Sequence, residues 1–308
     1  MVPTYIHPLI RPIVALPCHF YQWKINRALK PLFTERMRFV QNPPKGDTTE
    51  PQDHFQMMLR FAQKERPHEL NLHDIGTRVV LSNLGSFHQT GIATTNLILN
   101  IIDSNAEYNT ISILRDEISK VLLESGGVWS RAAVSKMVRA DSVLRETLRI
   151  DSFGARNMLR KVMVSNLRTE DGILLPKGCD VSMLTFSMQS DGDLFEDPFK
   201  FDPFRYSRMR EDVSSTTDDH GNQSNGPTTN LNFVSTGPQF LSFGHGKHAC
   251  PGRHLVDFEL KMILAYVLLN YDLEFPEEYK GRRPEVTWMG EVLMPPTAAK
   301  IRVRRRED

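Results

Sequence analysis

The stretch Phe243-Gly244-His245-Gly246-Lys247-His248-Ala249-Cys250-Pro251-Gly252-Arg253-His254-Leu255 gathers three glycines, three histidines and one cysteine into thirteen residues. Gly244, Gly246 and Gly252 allow tight bends and let the backbone lie against a flat ligand. Pro251 stands where the first turn of a helix would begin, and Leu255, Phe258, Met262, Tyr266 and Leu269 give that helix one apolar face. Cys250 is then expected at a helix N-terminus, where the macrodipole and free N–H groups favour a thiolate, the form that ligates iron. Two other readings compete. His245, His248, Cys250 and His254 could form a zinc cluster, but tetrahedral sites draw ligands from two separated arms, and no second cysteine pair is present. A glycine-rich turn ahead of a helix can cradle phosphate, yet the Lys-Ser/Thr ending such loops need is missing. The pattern fits best a loop that offers a cysteine thiolate to haem.

The 308 residues, with 40% hydrophobic content and a formal net charge of +1, can bury a sizeable core and carry no charge excess that points to nucleic acid. Arg302, Arg304, Arg305 and Arg306 are interrupted by Val303 and followed by Glu307 and Asp308, which reads as a solvated end. Cys18, Cys179 and Cys250 are too few and scattered for a disulfide framework, which fits a reducing compartment. No apolar run reaches bilayer length, and prolines and Arg11 break residues 1–17, so neither an anchor nor a signal peptide is expected in this chain.

Helical patterns follow at residues 21–38 and 54–63, around a Pro/Gly/Asp/Thr-rich loop at 42–53. Residues 71–105 read as one long helix, with Asn71 as N-cap, Asp74 in the capping-box position, and a stripe through Leu84, Phe87, Gly91, Thr94, Ile98 and Ile101. Its middle, Gly85-Ser86-Phe87-His88-Gln89-Thr90, sets polar groups into an apolar run. Residues 109–124 and 130–150 are two further helices, the first burying Ile111, Ile113, Leu114, Ile118 and Leu122, the second containing Glu146-Thr147-Leu148-Arg149. Residues 159–164 and 179–185 are β-like around a turn at 169–178. The segment Asp197-Pro198-Phe199-Lys200-Phe201-Asp202-Pro203-Phe204-Arg205-Tyr206 precedes a polar low-complexity insert at 211–230, expected as a mobile surface loop. Strands are expected at 272–275, at 286–294 with a turn near Gly290, and at 300–303.

Taken together, Phe-Gly-x-Gly-x-His-x-Cys-x-Gly, Glu-x-x-Arg and the later Pro-x-Arg-aromatic segment resemble the cytochrome P-450 family of haem-thiolate monooxygenases, over about residues 23–306. The resemblance implies a mainly α fold with small β-sheets, of which residues 1–308 would be a partial domain lacking the family's N-terminal portion. It implies haem b held by Cys250 as axial thiolate, with Phe243, Gly244 and Gly252 against the cofactor and Arg160 and His248 directed at its propionates. It implies a structural triad of Glu146, Arg149 and Arg205 that holds the meander at 197–206. On the distal helix it places His88 at the family's polar position and Gln89 where a threonine taking part in proton delivery would stand, with Thr90 one place later. A glutamine amide can donate a hydrogen bond or hold a water, but it does not relay a proton as a hydroxyl does. Phe87, Val292, Leu293 and Met294 become substrate candidates.

The implied activity is insertion of one oxygen atom from O2 into an apolar small molecule, with electrons from NADPH through NADPH-cytochrome P-450 reductase. The distal histidine, the Cys-Pro-Gly sequence and the C-terminal hairpin look most like filamentous-fungal members, which often tailor terpenoids or other secondary metabolites. The alternative is a truncated, catalytically inactive haem-binding fragment. The family implies the cytosolic face of the endoplasmic reticulum membrane. This chain by itself, without an anchor, would be cytoplasmic or peripherally associated.

Overall fold

The computed structural model describes residues 7–42, 49–215 and 231–307. The chain divides into two compact units, residues 1–87 and 88–308.

In the first unit, α1 (His7–Gln41) and α2 (His54–Glu65) pack around Val40, Phe55, Leu59, Ala62 and Ile75, with Leu29, Leu32 and Phe33 against them. The helical pattern read at residues 21–38 starts earlier in the structure, where α1 runs from His7 through Pro12, Pro17 and Pro31. The carbonyls that lose a ladder donor opposite Pro17 and Pro31 belong to Ile13 and Arg27, both solvent-exposed, so water can take the bond. Asp53 caps α2 by accepting the Gln56 N–H at 2.9 Å. The long helix α3 (Leu72–Asp103) begins in this unit. Its cap is Asn71, whose Oδ1 accepts the Asp74 N–H at 3.0 Å while its amide donates to the Asp74 carboxylate at 2.6 Å. Gly76 allows α1 and α3 to meet: a Cβ there would stand 2.3 Å from Asn26 Oδ1.

In the second unit, α3 continues from His88 and is followed by α4 (Asn105–Tyr108), α5 (Thr110–Glu124), α6 (Arg131–Val134) and α7 (Val138–Ile150). The single helix expected at 130–150 is therefore two. Ser130 caps α6, taking the Ala133 N–H at 3.1 Å, and Met137 leaves helical geometry at φ −77, ψ 79. Glu117 of α5 then accepts the free N–H groups of Arg139 and Ala140 at 2.7 and 2.9 Å, which starts α7 afresh. Next come β1 (Asn157–Lys161), β2 (Leu167–Arg168), β3 (Leu174–Leu175), β4 (Asp180–Met183), α8 (Thr185–Gln189), α9 (Arg205–Ser215), α10 (Arg253–Asn270), β5 (Tyr271–Glu274), β6 (Thr287–Met289), β7 (Val292–Met294) and β8 (Arg302–Arg305). The strands form four antiparallel pairs, β1 with β4, β2 with β3, β5 with β8 and β6 with β7. The architecture is thus mainly helical with small peripheral sheets. The insert expected at 211–230 overlaps the end of α9, and its remainder, 216–230, lies outside the described residues.

The core of this unit joins Leu97 and Ile101 of α3, Leu114 and Ile118 of α5, Leu144 and Leu148 of α7, and Leu260, Leu264 and Leu268 of α10. Truncating any one of these leucines to alanine removes about 2–5 kcal/mol. Two predicted stripes are corrected. On α10, Leu255 and Tyr266 are exposed and Leu260, Lys261, Leu264, Ala265 and Leu268 are buried. That helix is apolar on most sides, and the buried side is the one on which the Lys261 ammonium meets Asp141, at 2.6 Å. On α3, Leu84 and Phe87 are exposed, whereas Ala93, Asn96, Leu97, Asn100 and Ile101 are buried. The packed face of α3 is the one on which Asn96 and Asn100 find partners.

Candidate functional site

The Cys250 loop is built from short-range hydrogen bonds. The Gly244 N–H donates to Leu241 O at 2.8 Å, and residues 246–248 make a 3₁₀ turn closed by the Ala249 N–H on Gly246 O at 3.0 Å. The Cys250 N–H then donates back to Phe243 O at 2.8 Å. Gly244 and Gly246 hold φ of +68 and +67, left-handed values that side-chain-bearing residues adopt only with strain. Gly252 is different: its φ is −76, and a Cβ there would lie 3.7 Å from Cys250 Sγ, so its role is to leave the sulfur's flank open. The helix begins later than expected. Pro251 lies in a turn, Gly252 is the N-cap and α10 starts at Arg253, so Cys250 stands ahead of the first turn, with its carbonyl accepting from Arg253 Nη1 at 2.7 Å. The helix dipole therefore reaches the sulfur less directly than a first-turn placement would allow.

His245 turns its Nδ1 to Thr236 Oγ1 at 2.9 Å, and His248 and His254 are exposed. Among the described residues no three of His, Cys, Asp and Glu gather in one place, so the zinc-cluster geometry is not formed.

Beneath the loop lies a buried ionic network. Glu146 and Arg149, both with fully enclosed side chains, pair through two parallel bonds of 2.8 and 2.7 Å, a fork geometry set by their spacing on α7. Arg149 Nη1 also donates to Gln189 O at 2.6 Å and Pro198 O at 2.7 Å, and its guanidinium lies 4.9 Å from the Phe195 ring centroid. Arg205 Nε reaches Glu146 Oε1 at 3.2 Å and its Nη1 donates to Glu196 O at 2.9 Å. One carboxylate thus anchors α7, the segment around 196–202 and the start of α9.

Gln189, which sequence reasoning missed, ties this network to the cysteine loop. Its amide donates to Arg149 O at 3.1 Å, while its Oε1 accepts from the Leu241 N–H at 3.0 Å and Ser242 Oγ at 3.1 Å. Ser242 Oγ also lies 2.8 Å from Leu148 O, and Asn157 donates to Leu241 O at 2.8 Å. No local pattern marks a glutamine in a five-residue helix. Its partners lie 40 to 53 positions away.

Arg283 was missed too. Its backbone N–H donates to Asp103 at 2.7 Å, and its Nη2 donates to Asn96 Oδ1 at 2.7 Å. Its Nη1 meets both Asn100 Oδ1 and, at 2.8 Å, Asp151, which also accepts from the Asn100 amide at 2.8 Å. Asn96, Asn100 and Asp103 lie on one side of α3, so this arginine ties that helix to the end of α7 and to the approach to β6.

On α3, His88 and Gln89 are exposed and Thr90 is half-buried, its carbonyl accepting from Thr94 Oγ1 at 2.8 Å. Phe87 ends the first unit and is 74% exposed. Of the hairpin candidates, Val292 and Met294 are partly accessible, but Leu293 is 2% exposed. Leu293 is thus reached from inside the fold and not from its surface. Alternation along β7 turns it inward, where it lines a cavity of about 130 Å³ with Phe186, Trp288, Arg149 and Phe199. Gly290, at φ +63, makes the turn of this hairpin. Arg160 is exposed on β1, and His248 is exposed in the 3₁₀ turn. Among the described residues neither makes an ion pair with a carboxylate.

A haem fits these features: a sulfur with one flank kept free by a glycine, a loop backbone bent at two left-handed glycines, the exposed apolar Leu255 nearby in sequence, and two exposed nitrogen donors, Arg160 and His248, that make no ion pair with a carboxylate among the described residues.

The buried Glu-x-x-Arg network and the loop above it define a haem-thiolate class of fold. The Cytochrome P450 family model matches residues 9–303. The chain belongs to the cytochrome P450 family. It is 47% identical to cytochrome P450 monooxygenase pbrC of Penicillium brasilianum and 45% identical to cytochrome P450 monooxygenase astC of Aspergillus terreus, in each case over 99% of this chain and 56% of the relative. It is 43% identical to cytochrome P450 monooxygenase tenB of Beauveria bassiana, over 99% of this chain and 57% of that relative. The chain thus spans just over half the length of the relatives it matches.

Proposed function

We propose that this protein is a haem-thiolate monooxygenase that oxidises an apolar small molecule, in fungal secondary metabolism of the terpenoid or a similar class. The observation that carries the reading is the Cys250 loop, hung through Gln189 and Ser242 from the buried Glu146–Arg149 pair. Haem held by the Cys250 thiolate would supply the activation of O2 and the transfer of one oxygen atom, with electrons from NADPH through a partner reductase.

The chain's own residues have separate tasks. Cys250 offers the thiolate, and Phe243, Gly244 and Gly252 shape its surroundings. Arg160 and His248 meet the two carboxylates of the cofactor by charge-assisted hydrogen bonds. Glu146, Arg149 and Arg205 fix the segments beneath the loop and touch no reacting atom. On the α3 side His88 and Thr90 hold or move protons, and Gln89 donates a hydrogen bond or holds a water. Val292, Leu293 and Met294 present apolar surface to substrate, and Phe87 is a separate candidate on the first unit. Attachment at the cytosolic face of the endoplasmic reticulum belongs to this same proposal; among the described residues no helix is long and apolar enough to cross a membrane.

A second reading, haem binding without turnover, is favoured by the solvent exposure of His88 and Gln89. Incubation with NADPH, a cytochrome P450 reductase, 18O2 and a panel of apolar terpenoids separates the two. Monooxygenase function gives a product carrying one labelled oxygen. Stable haem binding with no labelled product across the panel contradicts it and leaves the second reading.

A further inference from the structure

Beside the Glu146 pair, α7 carries a second buried arginine that the ionic network does not use. Arg145 is 5% exposed, and among the described residues it pairs with no carboxylate. Its Nη1 instead donates to two backbone carbonyls, Asn232 O at 2.5 Å and Ser235 O at 3.0 Å. Its guanidinium lies 3.9 Å from the ring centroid of Phe240 and 4.8 Å from that of Tyr206. A guanidinium lying over two rings stacks its plane on them, which lysine's point-like ammonium does not.

These partners lead to the cysteine. The Phe240 N–H and carbonyl pair with Gly237, and its ring meets Phe243 edge-on at 6.5 Å. Phe243 also takes the edge of Phe233 at 5.2 Å, and its carbonyl receives the Cys250 N–H at 2.8 Å. One guanidinium therefore fixes the backbone at 232–235 and the ring of Phe240, and Phe240 bears on the residue that receives the Cys250 amide. Gln189 grips the same segment from α8 at Leu241 and Ser242. Asn157 adds a third hold, on Leu241 O at 2.8 Å, and of the three Arg145 is the one bearing a charge. Nothing in a Glu-x-x-Arg pattern assigns the residue before the glutamate such a part.

We propose that Arg145 is the positioning residue of the Cys250 loop, setting where the cysteine stands through the 232–235 carbonyls and the Phe240–Phe243 contact. The proposal rests on the haem-thiolate reading for its consequence, although the positioning itself is a property of the chain.

The test compares wild-type protein with Arg145→Lys, Arg145→Met and Phe240→Leu. Lysine keeps the charge but loses the fork and the stacking, methionine keeps much of the volume, and Phe240→Leu removes one ring face with the arginine in place. Ile118→Val, in the α5 core, serves as a control for general destabilisation. Amide hydrogen exchange is followed by mass spectrometry in peptides covering 232–250 and 110–124, together with the share of reduced, carbon-monoxide-treated haem that shows the thiolate band. Opening of the loop raises exchange at 232–250 about ten-fold or more in the Arg145 and Phe240 variants, with 110–124 within about two-fold of wild type. The thiolate share falls in the same variants. Ile118→Val gives the reverse exchange pattern and keeps the thiolate share. If Arg145→Met does not fold, Arg145→Lys and Phe240→Leu decide the matter. Exchange at 232–250 unchanged in both, or raised equally at 110–124, overturns the proposal. If wild type itself shows no thiolate band, the haem reading fails, and the exchange measurement still decides the role of Arg145.

Discussion

Glu146 and Arg149 are enclosed on every side and joined by paired hydrogen bonds, whereas His88 and Gln89, which the family resemblance places at the same centre, stand in solvent on one turn of α3. The cysteine side is held by long-range polar contacts through Arg149, Gln189, Ser242 and Asn157. The α3 turn is held by its own helix, through bonds such as that from Thr94 to the Thr90 carbonyl. The difference teaches where each kind of change acts. Substitutions on the first side are expected to alter stability and loop position, and substitutions on the second to leave the fold nearly unchanged and, on the proposed function, to act on chemistry.

The largest effect is expected from breaking the enclosed pair. Glu146→Ala or Arg149→Ala leaves an uncompensated buried charge and lowers stability by about 3–5 kcal/mol, read as loss of folded protein in a urea or thermal melt. Arg205→Ala, at the rim of the network with a side chain 12% exposed, costs less. Equal losses for all three would show that the rim and the centre are not distinguished. Arg283→Ala is expected to be next, since it strands Asp151 and two buried asparagines, and about 2–4 kcal/mol is the anticipated loss.

A pH dependence comes from Glu117. Burial raises its pKa above the ordinary carboxylate range, opposed by the hydrogen bonds from Arg139 and Ala140. A carboxyl whose folded pKa is raised favours the folded state in acid, and that contribution is lost as pH rises through the raised value. Glu117→Gln should therefore gain stability relative to wild type as pH goes from mildly acid to neutral. Parallel Tm-versus-pH curves for the two proteins would count against the assignment.

Tyr206 gives a smaller change. Burial pushes its phenol up to about 12, and its hydroxyl has no hydrogen-bond partner among the described residues. Stability from the un-ionised phenol is full below the ordinary tyrosine range and is lost as pH rises through about 12. Tyr206→Phe should be nearly neutral at physiological pH and should remove one high-pH step from an alkaline ultraviolet titration.

Smallest in stability are the changes on α3: Gln89→Thr and Thr90→Ala should each move stability by less than about 0.5 kcal/mol. Their effect is expected in coupling. Gln89→Thr raises product formed per electron consumed, and Thr90→Ala lowers it if that hydroxyl moves the proton. Unchanged coupling in both would place proton delivery on other groups.

What sequence revealed and what it did not follow from the range of the interactions. Left-handed glycines at 244, 246 and 290, the Asn71 cap and the Glu146–Arg149 spacing are local, so residue type and interval suffice to read them. The Arg205 contact was legible only through the family pattern. Gln189, Arg145 and Arg283 find their partners 40 to 187 positions away and give no local sign. The stripes on α3 and α10 misled because apolar residues stand on more than one side of each helix, so spacing alone does not specify the packed face. There the choice falls to the few polar residues that must be satisfied, Asn96, Asn100 and Lys261. The break at 135–137 was hidden because its cause, the Glu117 carboxylate, sits on another helix.

The central claim, that Cys250 is the axial ligand of a haem, is tested most directly by the difference spectrum of reduced protein with and without carbon monoxide. The red-shifted Soret band of a thiolate-ligated haem is expected in wild type, Cys18→Ala and Cys179→Ala, and is expected to be lost in Cys250→Ala alone. A band that persists in Cys250→Ala would contradict it.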